Sequence, residues 1–148
     1  MFLALAATAC ALLTAADITA VMGERPAKTR ASTMNASASR CVYTLPKSRA
    51  SVSLEVRRGA EARQLFDRLR EAARIEGDET DGLDQPAIEP VTGLGEQAFF
   101  ALGSGKAGLY VWRGTTLSWV SIENSDIAET RRNKLRRLAR RALSHLPR

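Results

Sequence analysis

Two residues able to react with each other sit near the start of this chain: Cys10 and Cys41, its only cysteines. A pair of thiols in a secreted chain favours a disulfide. Such a bridge would close a loop of about 30 residues and contribute roughly 3–4 kcal/mol in the chain-entropy treatment. Cys10 has two other readings. Small residues, Ala7-Thr8-Ala9, precede it, so it could be the lipid-modified first residue of a mature lipoprotein, although Ala7 stands where such cleavage sites usually carry Leu. It could also be a small buried apolar side chain.

The other chemistry-bearing residues point mostly to structure. His145 is the only histidine, so no His pair exists to hold zinc, and near a helix end its place suits the dipole and the last carbonyls. Gly93-x-Gly95 lacks the third glycine of a phosphate loop, and Ala98-Phe99-Phe100 after it reads as strand, so a turn is expected. Asp78, Asp81 and Asp84 are spaced by threes rather than in the alternation of a calcium loop. No G-x-S-x-G elbow exists. No catalytic, cofactor-binding or metal-binding residue is assigned. Tyr110, Trp112 and Trp119 fall on adjacent strands near Arg113, where aromatics could stack sugars or bases. Cross-strand pairs beneath helices are the commoner use. Arg131, Arg132, Lys134, Arg136, Arg137, Arg140 and Arg141 crowd the last helix between leucines. They read first as the outer face of a docked helix and second as an anion-binding face, carried by Arg132, Arg136, Arg137, Arg140 and Arg141.

These residues need a scaffold, and 148 residues suffice for one domain with a real core. Residues 1–9 are apolar and end in an A-x-A signal, as the remnant of a secretory leader does; residues 10–148 form the domain. The competing reading makes residues 1–16 one buried helix. Net charge is +6, but 18 of the 22 basic residues are Arg, a bias that GC-rich codons alone can produce. Glu76, Asp78, Glu79, Asp81, Asp84 and Glu89 cluster in mid-chain, so an acidic loop precedes a basic terminal helix.

Residues 14–22 predict a helix capped by Thr14 and stopped at Gly23, and residues 24–39 a mobile loop. Strands at 40–45 and 50–57 form an antiparallel hairpin, the second alternating strictly through Val52, Leu54 and Val56. Ala62, Leu65, Phe66, Leu69, Ala72 and Ala73 make the apolar stripe of a helix over 60–76 that Gly77 closes, with a loop over 77–92. Strands follow at 97–102, 109–113 and 116–122, the first two joined by Gly103-Ser104-Gly105. The last helix runs from about Asp126, capped by Ser125, with a stripe at Leu135, Leu138, Ala139, Ala142 and Leu146 and a stop at Pro147. The order α-β-β-α-β-β-β-α predicts an α+β domain: an antiparallel twisted sheet of about five strands with helices on one face.

The run Cys10-Ala11-Leu12-Leu13-Thr14-Ala15-Ala16-Asp17-Ile18, then Gly23, Cys41-Val42-Tyr43 and Gly93-Leu94-Gly95-Glu96-Gln97-Ala98, resembles a broad group of small bacterial secreted or lipoprotein domains. The resemblance covers most of the chain through short motifs. It implies a Cys10–Cys41 bridge and an exported α+β domain, and it carries no general activity. The expected function is a non-catalytic binding or accessory domain of the cell envelope, periplasmic, envelope-bound or secreted, without cofactor. The second reading is an electrostatic binder of polyanions (anionic lipid, cell-wall polymer or, less favoured, nucleic acid) through the basic last helix. Membrane association would then run through that helix or a lipid on Cys10. An enzyme ranks third.

Overall fold

Thr14 starts the first regular helix by reciprocal bonding. Its hydroxyl accepts from the Asp17 N–H at 3.1 Å while the Asp17 carboxylate accepts from the Thr14 N–H at 2.9 Å. The computed structural model describes residues 8–79, 88–101, 108–124 and 126–146. A single turn, α1 (Ala9–Leu12), precedes this capped helix, α2 (Ala15–Met22), which ends as expected with the Gly23 N–H donating to the Thr19 carbonyl. Three strands follow, β1 (Lys28–Asn35), β2 (Ala38–Leu45) and β3 (Ala50–Arg58). Then come α3 (Ala60–Glu79), β4 (Ile88–Val91), β5 (Gln97–Ala101), β6 (Gly108–Arg113), β7 (Thr116–Glu123) and α4 (Ala128–Ser144). Residues 1–7 of the expected leader, most of the acidic loop, the Gly103-Ser104-Gly105 turn, Ser125 and Pro147 lie outside the described residues.

The strands form one antiparallel sheet in the order β1-β2-β3-β7-β6-β5-β4. Two meanders, β1 to β3 and β4 to β7, meet where β3 pairs with β7. The α+β class holds, with seven strands among the described residues rather than about five. Residues 24–39 are not a loop throughout, because Lys28–Asn35 pairs along β2 as an edge strand. Residues 77–92 likewise contain β4, paired with β5. The helix expected to close at Gly77 continues to Glu79; a helical glycine costs only about 1 kcal/mol, and no proline intervenes before Pro86. α4 starts after Ile127, which makes no side-chain capping bond, rather than at Asp126.

Period-two alternation sends side chains to two different layers. One face of the sheet, with Tyr43, Leu54, Leu109 and Val120, packs under α1, α2 and α4. The opposite face, with Phe99, Tyr110, Trp112 and Leu117, packs under Ala62 and Phe66 of α3. Helices therefore cover both faces, correcting the one-face expectation. Strands β5 to β7 are apolar at odd and even positions alike, which a sheet covered on one side cannot bury.

Cys10 and Cys41 are bonded, with Cα atoms 5.1 Å apart, fixing α1 to the fully buried start of the hydrophobic part of β2. Two further bonds hold the same corner: the Ala9 N–H donates to Ser39 Oγ at 2.9 Å, and the Tyr43 hydroxyl donates to the Leu13 carbonyl. Ala9 is wholly buried and opens α1, so the packed domain includes the last residue of the expected leader.

Candidate functional site

α4 docks through charge as well as through its leucines, and this uses up most of its cations. Leu135, Leu138 and Leu146 are buried, as the stripe requires. Arg141 reaches Asp17 Oδ1 at 3.1 Å and His145 Nε2 reaches Asp17 Oδ2 at 3.2 Å, tying the end of α4 to the start of α2. Burial pushes the Asp17 carboxyl up, but the Thr14 N–H, the Arg141 guanidinium, the Thr14 hydroxyl and the charge of His145 outweigh it and hold it below its usual value. Arg137 donates to the Ala20 carbonyl at 3.0 Å. Arg132 pairs with Glu89 at 3.2 Å, joining α4 to β4. Lys134 donates to Asp126 at 2.6 Å and depresses that carboxyl, and Arg131 donates to the Asp126 carbonyl at 3.0 Å. Arg136 lies 5.1 Å from the Phe100 ring centroid.

Of the five arginines expected to form an anion-binding face, Arg140 alone is exposed without a partner among the described residues. Arg132, expected on the outside, is half-buried because Glu89 draws it inward. His145 is the C-cap of α4, as its position suggests, but its imidazole meets the Asp17 carboxylate rather than the last carbonyls.

The aromatic trio also divides. Phe99 and Tyr110 stack at 5.0 Å, and Tyr110 and Trp119 at 4.9 Å, a ladder running across β5, β6 and β7. Tyr110 is 4% and Trp112 6% exposed, so these two follow the commoner reading of pairs beneath a helix and the surface reading fails for them: β6 is an interior strand and α3 lies over it. Burial drives the Tyr110 hydroxyl up to about 12, with a smaller push from Glu55. Trp119 ends the ladder half-buried, its indole against Gly108, where a Cβ would collide with Nε1. Arg113 does not join them. It belongs to the other face and donates to the Leu143 carbonyl at 3.0 Å, near the C-terminus of α4. The cation over these aromatics is Arg63, 5.1 Å from the Trp112 centroid and 5.3 Å from that of Phe66. Its place at the start of α3, three residues before Phe66, was the available signal.

Gly93 and Gly95 take positive φ values of 82° and 57°, as a turn into β5 demands. A Cβ on Gly95 would come within 2.6 Å of the Trp112 carbonyl, so the chain passes too close for a side chain. No group of His, Cys, Asp and Glu among the described residues could hold a metal ion. A cleft of about 640 Å³ lies between α3 and β4–β5, lined by Phe66, Asp67, Arg70, Pro90, Gln97 and Phe99. Its charges are mixed and converge on no single ligand chemistry.

One feature of the surface was missed by reading charge along helices. Residues 25–54 contain six basic residues, Arg25, Lys28, Arg30, Arg40, Lys47 and Arg49, and no Asp or Glu. The rest of the chain holds 16 basic and 16 acidic residues, so this segment is the strongly basic one, bordered by Glu24, which accepts from the Lys47–Ser48 turn, and Glu55, which stands opposite Arg40. The register puts Lys28 opposite Thr44, Arg30 opposite Val42 and Arg40 opposite Ser32, on the α3 side of the sheet. Lys28, Arg30 and Arg40 are exposed and have no partner among the described residues.

No protein-family model matches this sequence, and no curated protein matches it. Among solved structures, a GTP binding regulator from Thermotoga maritima aligns at 15% identity over 84% of this chain and 85% of that chain, with a TM-score of 0.44. That likeness carries no argument about this chain's ligand or activity.

Proposed function

We propose that this chain is a non-catalytic, exported binding domain of the bacterial cell envelope. The carrying observation is the Cys10–Cys41 bond, built into the core at the junction of α1 and β2. Disulfides persist in oxidising compartments and are rare in the cytosol. The groups best suited to proton transfer support the non-catalytic part of this reading. Asp17, His145 and Asp126 are all committed to ion pairs that position α4. No helix among the described residues is long and apolar enough to cross a membrane.

A lipid thioether on Cys10 and this bridge exclude each other, because both use the same sulfur. Fractionation of the tagged protein from its native host, with non-reducing peptide mapping, tests the reading. The linked Cys10 and Cys41 peptides are expected in the envelope or the medium. Cytosolic protein with both thiols open to alkylation would overturn it. A diacylated Cys10 beside a free Cys41 would replace the bridged form with a lipoprotein.

A further inference from the structure

We infer that the α3-side face of β1 and β2 is a binding surface for an extended acidic polysaccharide, gripped by Lys28, Arg30 and Arg40. The inference rests on the binding-domain reading above. Its first support is charge: the hairpin carries three basic residues and no acidic one, while the cations of α4 are largely consumed by internal partners. Cations in register on one sheet face form a track. Lys28 and Arg30 lie two residues apart on β1, and Arg40 is opposite Ser32, the next position on that face. Successive charges therefore stand roughly 7 Å apart along the strand direction. Glu55 is the single carboxylate on this face of β1 to β3; it sits opposite Arg40 but is held by Arg57 at 2.7 Å. Glu123, on β7 beside Ser51, bounds the field on that side.

The second support is what lies between and beside the cations. Ser32, Thr44 and Ser51 share the face, offering hydroxyls that both donate and accept. Trp119 lies in the row Arg40, Glu55, Trp119, two strands or about 10 Å from Arg40, with its ring plane fixed by stacking on Tyr110. A half-buried indole, hydroxyls and spaced cations suit a sugar polymer bearing carboxylate, sulfate or phosphate groups. A bilayer fits less well. The exposed large hydrophobics among the described residues are Met34 and Ile127, which belong to separate elements and make no apolar rim. Single-stranded nucleic acid is normally held on several stacking platforms, and this face offers one ring.

The test titrates the oxidised full chain with a labelled heparin dodecasaccharide, with polyphosphate and anionic phosphatidylglycerol vesicles as parallel arms. The dodecasaccharide should bind with a steep salt dependence. The triple reversal K28E/R30E/R40E should weaken it at least about tenfold at low salt and lower the salt slope by roughly 2–3. The neutral pair R30Q/R40Q should weaken it less, and R136E/R140E by under about twofold. Circular dichroism and the intact bridge verify the fold of each variant. An unchanged affinity in the triple variant, or loss of binding in R136E/R140E, would overturn the placement. Equal or tighter binding to polyphosphate or vesicles would overturn the sugar assignment. Absence of all binding would leave the charges as guards of an edge strand against aggregation and sink the inference. Because export and the bridge are read separately by fractionation, that failure is distinct from failure of the envelope reading.

Discussion

Asp17 shows how much one carboxylate can hold. It caps α2 through Thr14 and receives Arg141 and His145 from the end of α4. Asp17→Ala removes the carboxylate half of the capping box and leaves Arg141 and His145 without their partner, and it should cost about 1–3 kcal/mol in urea unfolding. The sign of its pH dependence follows from the lowered pKa. A carboxyl held below its unfolded value stabilises the fold fully above that value and progressively less as pH falls through the folded one. The stability gap between wild type and Asp17→Ala should therefore narrow as pH falls through the carboxylate range, below about pH 4. Thr14 and Asp17 were legible as a capping pair from spacing alone. The link to residues 141 and 145 was not, because no local pattern reports a contact across more than 120 positions.

The elements differ in how plainly the sequence announces them. α2, α3, α4 and strands β2, β3 and β5 to β7 follow from apolar periodicity and turn residues. β1 does not, since Lys-Thr-Arg-Ala-Ser-Thr-Met-Asn is exposed at every position and has no apolar face to alternate. β4 is short and carries Pro90, which edge strands tolerate and interior strands do not. The second helical layer was signalled differently. Phe99-Phe100 and Leu109-Tyr110-Val111-Trp112 are buried at consecutive positions, and that pattern requires cover on both sides. Each layer should fail on its own anchor. Phe66→Ala under α3 should cost about 3–5 kcal/mol and Leu138→Ala under α4 about 2–4 kcal/mol by denaturant titration. Arg140→Glu should stay within about 1 kcal/mol of wild type, because exposed charges contribute little to stability.

Across the molecule, stability should grade from the seam outward. Central β3 and β7 are paired on both sides and covered by helices, whereas β1 has one neighbour and no buried side chain. Amide hydrogen exchange should show the slowest rates in β3 and β7 and the fastest strand rates in β1. Replacing both cysteines by serine should lower stability by roughly 3–4 kcal/mol and raise exchange first in α1, which the bridge fastens to β2. The candidate surface was legible only in part. The basic surplus was visible in composition, but its place became clear once β1 existed as a strand and its register fixed which cations share a face.

The meeting of two meanders at β3 and β7 has a kinetic consequence. Every other strand pair joins neighbours along the chain, while this one brings Leu54 opposite Val120, 66 positions apart. Closing that loop is the long-range search within the sheet, so it should limit the rate at which the sheet assembles. Leu54→Ala and Val120→Ala should accordingly slow refolding in stopped-flow chevrons. Substitutions confined to the edge strands β1 or β4, away from this pairing, should instead act on the rate of unfolding.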